Sequence, residues 1–280
     1  MRVSDFRRTV FRSYKKHGRR ALPWRKTQNP YRIFVSEIML QQTQVSRILP
    51  KYNEWMKVFP DWRALERAPF AKVLGVWQGI GYNRRARFLK ESAKIVAAAY
   101  RGALPASVSE LERFPGIGPY SARAIACFAF DRCEPFIETN IRRAVIHSFF
   151  SRKRAYISDA EILVILRRVE PRAEKREWYW ALMDFGASLS HLRINPNRRA
   201  ESYRAQSRFE GSSRYVRAAV LKALLEKRRL SLRELKRILM GDPHAASYLR
   251  GAGFMQILEG LEKDKILWYN NKQWKIAENK

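Results

Sequence analysis

Apolar residues recur three and four positions apart through most of the first two hundred residues, between short breaks made by Pro, Gly or Asn. This spacing is the period of a helix that buries one face, and it predicts a nearly all-helical region. One helix follows the start signal Asn29-Pro30 and carries Ile33, Phe34 and Met39 on an apolar stripe. Glu37 is therefore predicted to lie on a helix, ahead of the polar run 41–44.

Two glycine-containing breaks interrupt the helical pattern. The first, at 78–87, combines two glycines with several arginines and is predicted to be a turn that faces DNA. The second is Pro115-Gly116-Ile117-Gly118, which precedes a helix rich in small residues. A glycine turn between helices can present backbone N–H groups to a phosphate, although glycines can join any pair of helices. We interpret this segment as a helix-hairpin-helix motif.

The pattern changes after Gly211. Three helices are predicted there. The first spans 214–227, the second begins at a capping box formed by Ser231 and Glu234, and the third lies around 254–262. Two short apolar runs at 266–269 and 273–276 then predict a β-hairpin. Helices followed by a hairpin indicate a small winged-helix-like α+β domain at 208–280, which a polar segment at 195–213 connects to the rest.

The charge balance narrows the class of partner. The 280 residues include 56 Lys plus Arg against 26 Asp plus Glu, a formal net charge of +30. A polyanion is the natural partner of such a chain, and DNA, RNA, the ribosome or an anionic membrane surface would each satisfy it. No apolar run approaches the ~20 residues that span a bilayer, and the polar first residues lack a signal core. We expect a cytoplasmic, nucleoid-associated protein.

The chain has only two cysteines, Cys127 and Cys133. Two thiols cannot build a four-thiolate metal site or a disulfide framework. Both are expected to be reduced thiols near a core.

Two carboxylates flank the hairpin, Glu37 before it and Glu138 after it. Hydrolysis of an N-glycosidic bond builds positive charge on the sugar and negative charge on the departing base, so an enzyme needs a proton donor and an anion. Apolar neighbours would raise the pKa of Glu37 enough to hold a proton near neutral pH, whereas Glu138, near Arg142 and Arg143, would stay ionised. The structural alternatives are a solvated surface residue for Glu37 and an N-cap or loop carboxylate for Glu138.

Three further side chains suit the gap that remains when a nucleotide leaves the base stack. Gln41, Gln42 and Tyr82 are long or flat enough to fill it. A polar surface role for the two glutamines and a core role for the tyrosine are the alternatives.

Over roughly its first two hundred residues, the chain resembles the MutY-type adenine DNA glycosylases of the helix-hairpin-helix superfamily. The segments that carry the resemblance, in unbroken order, are Leu22-Pro23-Trp24-Arg25, Asn29-Pro30-Tyr31, Val35 to Val45, Gln78-Gly79-Ile80-Gly81-Tyr82, Pro115-Gly116-Ile117-Gly118 and Met183-Asp184-Phe185-Gly186-Ala187. The resemblance implies that the fold is mainly α. It also implies a two-lobed helix-hairpin-helix DNA glycosylase domain at 1–207. Its barrel lobe would occupy about 30–135 and its second lobe 1–29 and 136–207.

The resemblance also implies roles for individual residues. Glu37 would protonate adenine at N7, Glu138 would stabilise the oxocarbenium-like sugar, and Asn140 would order Glu138. Tyr120 stands where bifunctional relatives of the endonuclease III type carry a Schiff-base lysine, which implies a monofunctional enzyme without efficient strand cleavage. Gln42 and Tyr82 would enter the base stack. The expected DNA-contacting set is Gln41, Gln42, Thr43, Gly81, Tyr82, Arg84, Arg85, Pro115, Gly116, Ile117, Gly118 and Ser121, and the expected base pocket is Trp24, Arg25 and Leu40.

Three departures from the family pattern qualify these expectations. Glu138 replaces the usual Asp, so its carboxylate is displaced by about one bond length relative to the sugar. Ser190 stands in the first of four cysteine positions, and the other three are also filled by residues other than cysteine, so the family's iron–sulfur cluster is predicted to be absent. The predicted winged helix replaces a Nudix-like domain that checks for 8-oxoguanine. The resemblance also allows a Na⁺ or K⁺ ion bound by the backbone carbonyls of Phe114 and Ile117. We expect no other metal and no cofactor.

The leading hypothesis is a monofunctional, monomeric base-excision DNA glycosylase acting on double-stranded DNA with a mismatch or lesion. Adenine opposite G or 8-oxoguanine is the leading substrate. Thymine or uracil mismatches and hypoxanthine are alternatives within the class. A non-catalytic protein that binds DNA structure is the alternative from another class.

Overall fold

The computed structural model describes residues 1–151, 154–192, 195–205, 208–249 and 253–278. These residues form fifteen α-helices, three short 3-10 helices and one three-stranded antiparallel sheet. Their contacts divide the chain into two compact units. The first unit is Met1–Glu37, Pro105–Arg113 and Ile117–Ala205, and the second is Ile38–Leu104, Phe114–Gly116 and Gln206–Lys280.

The first unit is helical. Its helices are α1 (Val3–His17), the start of α2 (Pro30–Leu40), α7 (Val108–Leu111), α8 (Pro119–Phe130), α9 (Thr139–Phe149), α10 (Asp159–Val169) and α11 (Lys175–Ser188), with 3-10 turns at Pro23–Arg25, Leu189–His191 and Pro196–Arg199. Helices α1 and α9 both pack against α11. The ring of Phe6 on α1 meets Trp178 on α11 edge to face at 6.0 Å, and Phe136 stacks on Tyr179 at 4.4 Å. These aromatic contacts fix the helices that carry the candidate site.

The second unit begins with the end of α2 and continues through four helices, α3 (Val45–Val58), α4 (Trp62–Arg67), α5 (Phe70–Trp77) and α6 (Arg84–Ala99). Trp55 and Trp77 meet edge to face in its core, with ring centroids 5.6 Å apart. Lys90 on α6 is 1 % exposed and donates to the carbonyls of Leu65 and Glu66 at the end of α4. A buried ammonium thus satisfies carbonyls that have no partner within their own helix.

The rest of the second unit comprises α12 (Ser213–Lys227), β1 (Arg229–Ser231), α13 (Leu232–Leu239), α14 (Ala246–Leu249), α15 (Gly253–Lys263), β2 (Leu267–Asn270) and β3 (Gln273–Ile276). Strand β3 is central and pairs antiparallel with both neighbours, with Leu230 opposite Trp274 and Leu267 opposite Ile276. The predicted hairpin and the capping box of Ser231 and Glu234 are confirmed. This helix order with a three-stranded sheet agrees with the predicted winged-helix-like part.

The two units do not coincide with the predicted lobes. Residues after Ala205 belong with Ile38–Leu104, and α8, which the prediction placed in the barrel lobe, belongs with α1, α10 and α11. The predicted limits of the barrel lobe, the second lobe and the C-terminal domain remain predictions.

The two cysteines differ from their expected state. Cys127 and Cys133 are joined by a disulfide, so the prediction of reduced thiols is wrong for this structure. The cause is local: α8 ends at Phe130, and Asp131 adopts a left-handed backbone conformation with φ 59°. That turn reverses the chain and brings Cys133 back to the last turn of the helix.

No helix within the described ranges combines the length and the apolar character that a membrane crossing needs.

Candidate active site

Glu37 lies on α2 with a buried side chain. Its residue is 4 % exposed, and Tyr120 donates its hydroxyl to Glu37 Oε2 at 3.4 Å. Burial, followed by the negative charge of Glu138, raises the pKa of Glu37 to about 7, although the tyrosine hydroxyl and the charge of Arg25 lower it in part. A carboxyl with this pKa is partly protonated at neutral pH. It can therefore deliver a proton.

Glu138 is the N-cap of α9. Its Oε1 accepts hydrogen bonds from the backbone N–H groups of Asn140 and Ile141, both at 2.7 Å, and its Oε2 accepts from Asn140 Nδ2 at 3.2 Å. Burial raises the pKa of Glu138, while these backbone donors and the charges of two arginines oppose the rise. The N-cap alternative is thus observed. The same carboxylate is also near enough to Glu37 to raise that residue's pKa.

A second layer of contacts fixes Asn140. Arg143 donates to Asn140 Oδ1 at 2.9 Å and to the carbonyl of Gly186 at 3.0 Å. A Cβ atom on Gly186 would lie 1.9 Å from the backbone oxygen of Asn140, so α9 and α11 approach too closely there for a side chain. Arg142 instead pairs with Asp159, at 2.7 Å. The sequence analysis treated both arginines as charges near Glu138 and did not identify this division of roles.

Arg25 belongs to a buried ion cluster. Its guanidinium donates to both carboxylate oxygens of Asp184, at 2.7 and 3.0 Å, and the backbone N–H of Arg19 donates to the same carboxylate at 2.8 Å. Burial raises the pKa of Asp184, but the hydrogen bonds and charges of Arg25 and Arg19 outweigh that effect, and the pKa is lowered overall. Trp24, the neighbour of Arg25, is buried. Asp184 had no functional role in the sequence analysis, and only its place in the family-like segment 183–187 marked it.

The second unit contains the two residues expected to enter the base stack. Gln42 and Tyr82 both adopt left-handed backbone conformations, with φ 54° and 49°. Residues other than glycine rarely adopt this conformation, and such strain is concentrated at functional sites. The ring of Tyr82 lies near the guanidinium groups of Arg85 and Arg214, at 5.2 and 5.5 Å from its centroid.

Arg85, one of the expected DNA contacts, is buried and hydrogen-bonded within the second unit. It is 5 % exposed, and its guanidinium donates to the carbonyls of Ile38 and Met39, both at 2.9 Å, and to Gly81 at 3.1 Å. It also donates to Thr43 Oγ1 at 3.0 Å. The guanidinium therefore ties the end of α2 to the loop before α6, and a contact between Arg85 and DNA stays a prediction. Arg84, by contrast, is exposed.

The glycine hairpin joins α7 to α8 as predicted. Gly116 has φ 74°, and a Cβ there would lie 2.2 Å from the ring of Phe88, so both conformation and space require glycine. Gln41 Nε2 donates to the carbonyl of Gly116 at 3.1 Å. Gly116 and Gly118 are exposed, Pro115 and Leu40 are half-buried, and Ile117 and Ser121 are buried.

No metal site is evident in the described part of the chain, where no three His, Cys, Asp or Glu side chains gather as ligands. Two cysteines also cannot supply the four thiolates of an iron–sulfur cluster. The monovalent ion at the carbonyls of Phe114 and Ile117 remains a prediction.

Comparisons with known proteins agree with the fold. The pattern of the HhH-GPD superfamily base excision DNA repair proteins matches residues 35–175. Adenine DNA glycosylase of Mycolicibacterium smegmatis is 38% identical over 182 residues, which cover 65% of this chain and 62% of that protein. Adenine DNA glycosylase of Mycobacterium tuberculosis H37Rv is 35% identical over 197 residues, 68% of this chain and 63% of that protein. The chain therefore spans less than two thirds of the length of these curated relatives.

Two solved structures share the fold. A thermostable thymine-DNA glycosylase superposes with a TM-score of 0.60 at 24% identity, over 69% of this chain and 90% of that one. A trapped endonuclease III–DNA covalent intermediate gives a TM-score of 0.57 at 17% identity, over 67% of this chain and 87% of that one. The chain belongs to the HhH-GPD superfamily of base excision DNA repair proteins.

Proposed function

We propose that this protein is a DNA glycosylase that hydrolyses the N-glycosidic bond of a mispaired base in double-stranded DNA. The observation that carries the proposal is Glu37, a buried carboxyl whose pKa is raised to about 7, with Tyr120 and Glu138 close to it. A surface glutamate would have neither this burial nor this pKa. The group is matched to proton donation at neutral pH.

In the proposed reaction, Glu37 donates its proton to the departing base, and the electron pair of the bond from C1′ to the base leaves with that base. Positive charge develops on the sugar, where the Glu138 carboxylate stabilises it. Water then bonds to C1′ and releases a proton, which restores the protonated Glu37. Asn140 and Arg143 act as positioning residues, because they hold Glu138 through the hydrogen bonds described above.

The N-cap role of Glu138 does not by itself account for a glutamate. Helix N-caps favour Ser, Thr, Asp, Asn and Gly, whose geometry suits the bond to the backbone. The longer Glu138 fills this position while burial raises its pKa and its charge acts on Glu37. This combination supports a catalytic assignment beside the structural one.

Adenine opposite G or 8-oxoguanine is the proposed substrate. The support is the resemblance to proteins named adenine DNA glycosylase, at 38% and 35% identity. The phenol Tyr120 in place of a Schiff-base lysine supports a monofunctional reaction, since a phenol cannot form an imine with the sugar. Thymine, uracil or hypoxanthine as the target base and a non-catalytic DNA-binding role are the alternatives that the experiment must separate.

The test is single-turnover base release from duplexes with A opposite 8-oxoguanine, A opposite G, T opposite G, U opposite G and hypoxanthine opposite T. Hot alkali after the reaction cuts abasic sites, and a parallel sample without alkali reports strand cleavage by the protein itself. We expect alkali-dependent cleavage of the adenine duplexes. Cleavage of another duplex would reassign the substrate, strand cleavage without alkali would contradict the monofunctional assignment, and binding without release would favour the non-catalytic alternative.

A further inference from the structure

One face of the C-terminal sheet carries an aligned row of three side chains. Strand β3 is central, and its Lys275 lies opposite Arg229 on β1 and opposite Trp268 on β2. Residues directly opposite each other in an antiparallel pair share one face of the sheet. Arg229 and Trp268 are exposed, whereas Trp274, the neighbour of Lys275 along β3, is buried on the other face. The row therefore lies on the exposed face of the sheet.

Two members of the row are in direct contact. The ammonium of Lys275 lies 4.3 Å from the centroid of the Trp268 ring. A cation over an indole face is attracted by the ring, which fixes the position of the ammonium. A base would stack on such a face if it were open. With the ammonium in that place, this surface offers positive charge rather than a platform for bases.

Further basic residues adjoin the row. The two residues that precede Arg229 are Lys227 and Arg228, and all three are exposed. Lys272 is exposed in the two-residue turn between β2 and β3. We call the surface formed by 227–229, Trp268, Lys272 and Lys275 the basic sheet face. A dense set of cations at one end of a small domain suits a polyanion.

Helix α15 has the opposite charge. It carries Glu259, which is exposed, and Glu262, which is half-buried, and Asp264 follows its last residue. Such carboxylates repel phosphate groups. Of these two surfaces of the C-terminal part, the sheet suits a nucleic acid and the helix does not.

Helix α12 sets the distance between this face and the loop of Tyr82. Arg214, near the start of α12, donates to the hydroxyl of Tyr82 at 3.0 Å, and Lys227 is the last residue of the helix. An α-helix rises about 1.5 Å per residue, so Lys227 lies about 20 Å from Arg214. At 3.4 Å per base pair, this is the length of about six base pairs of duplex.

We propose that the basic sheet face binds phosphates of the duplex on one side of the lesion, about six base pairs from the nucleotide beside Tyr82. Arg229 and Lys275 donate to the phosphate oxygens, and Trp268 is a positioning residue that holds the Lys275 ammonium. Contacts to the backbone do not depend on the base sequence. The inference rests on the proposed function, which supplies the duplex and its lesion, and it adds a second, remote DNA contact.

The test measures binding, so that it does not depend on base release. Fluorescence anisotropy gives the dissociation constant for duplexes with a stable abasic analogue opposite guanine. One duplex has ten base pairs on each side of the analogue, and two others have one side shortened to four. We expect wild-type protein to bind one of the shortened duplexes about tenfold more weakly than the full-length duplex, because the remote phosphates are missing.

A double variant removes the two phosphate contacts. Arg229→Gln with Lys275→Gln should weaken binding of the full-length duplex about tenfold and should leave the sensitive shortened duplex unchanged. The slope of log K against log salt concentration should decrease in magnitude by about 2 on the full-length duplex. Lys57→Gln with Arg63→Gln is the matched control, because it removes one exposed lysine and one exposed arginine from α3 and α4, outside the C-terminal part.

Two substitutions of Trp268 test its positioning role. Trp268→Leu removes the ring beneath the Lys275 ammonium and should weaken binding of the full-length duplex alone by about threefold. Trp268→Phe retains a ring and should restore the wild-type affinity. Equal affinities of both variants for the full-length duplex would contradict this role.

Wild-type affinity that is the same for all three duplexes would overturn the proposal. Equal weakening of all three duplexes by the Arg229 and Lys275 double variant, or a similar loss in the matched control, would overturn it as well. A single-stranded arm on the sensitive side that binds as tightly as the duplex arm would contradict the phosphate contact and would indicate binding of bases. Absence of base release from every duplex in the activity panel, with the length dependence intact, would refute the glycosylase proposal while the remote DNA contact stands.

Discussion

Tyr120 donates its hydroxyl to Oε2 of Glu37 at 3.4 Å, and this contact offsets part of the effect of burial, which raises the pKa of Glu37 to about 7 overall. The tyrosine thus favours the ionised form of Glu37, against the larger effect of burial. In the proposed function, Tyr120 also stands where the family resemblance implies a Schiff-base lysine in bifunctional relatives. The proposal therefore gives this one residue a bearing on both the proton supply and the type of reaction.

The pH dependence of base release should follow the protonation of Glu37. An acid must hold its proton to donate it, so the rate should fall as the pH rises through about 7. Tyr120→Phe removes a contact that lowers the pKa, so the alkaline fall should move to higher pH. Single-turnover rates between pH 5 and 9 measure the shift. Tyr179→Phe is the control, because this buried tyrosine donates to Glu170 at 2.7 Å; a shift of similar size in that variant would contradict the assignment.

The free energy of unfolding should also depend on the protonation of Glu37. Because the pKa of Glu37 is raised from 4.5 to about 7 in the folded protein, its contribution to stability is complete below pH 4.5 and is lost as the pH rises through 7. Glu37→Gln removes this loss. The free energy of unfolding of the variant relative to wild type should increase by up to about 3 kcal/mol between pH 5 and pH 8. Urea unfolding at both pH values measures it, and a difference independent of pH would contradict the raised pKa.

Substitutions of Glu138 should separate its capping role from its chemistry. Aspartate is also a favoured N-cap residue, and it is the residue that the family resemblance leads us to expect at this position. Base release by Glu138→Asp should therefore be retained or increased. Glu138→Ala should lose about 1 kcal/mol of stability and most of the activity. Asp61→Ala is the matched control, since Asp61 caps α4 through the N–H of Ala64 and lies outside the site. A similar loss of activity in that control would mean that lost stability explains the Glu138→Ala result.

The approach of α9 and α11 gives a packing prediction. Gly186→Ala places a methyl group 1.9 Å from the backbone oxygen of Asn140, and the helices must separate to accept it. We expect a loss of more than about 2 kcal/mol in stability, together with reduced base release. Gly75→Ala meets no atom within 4 Å and lies in α5, so it should be neutral or stabilising by about 0.5–1 kcal/mol. Thermal unfolding of both variants measures the contrast.

The sequence was sufficient for the features that local physics determines. The helical period, the hairpin glycines and the capping box of Ser231 and Glu234 each reflect contacts within a few residues, and each prediction agrees with the structure. The strand β1 was missed, because three residues give too short an alternation to detect and its partner β3 lies more than forty positions later. The disulfide was missed because it depends on the left-handed turn at Asp131.

The candidate site shows the same limit. Glu37 and Glu138 were predicted from their types and neighbours, and burial of Glu37 agrees with that prediction. The buried position of Arg85 could not be predicted, since an arginine in a basic loop is ordinarily exposed. Its inward direction follows from acceptors at the end of α2 and at Thr43 and Gly81. The Asp184 cluster likewise joins residues about 160 positions apart, a separation at which neither periodicity nor composition is informative.

The most direct test of the account is the single-turnover rate of base release by Glu37→Gln on the duplex that wild-type protein cleaves fastest. Glutamine has the size of the glutamic acid side chain and no proton to donate, so binding should persist while the rate falls by about a hundredfold or more. Equal duplex affinity with that loss would establish Glu37 as the acid. A rate within twofold of wild type would contradict the central claim.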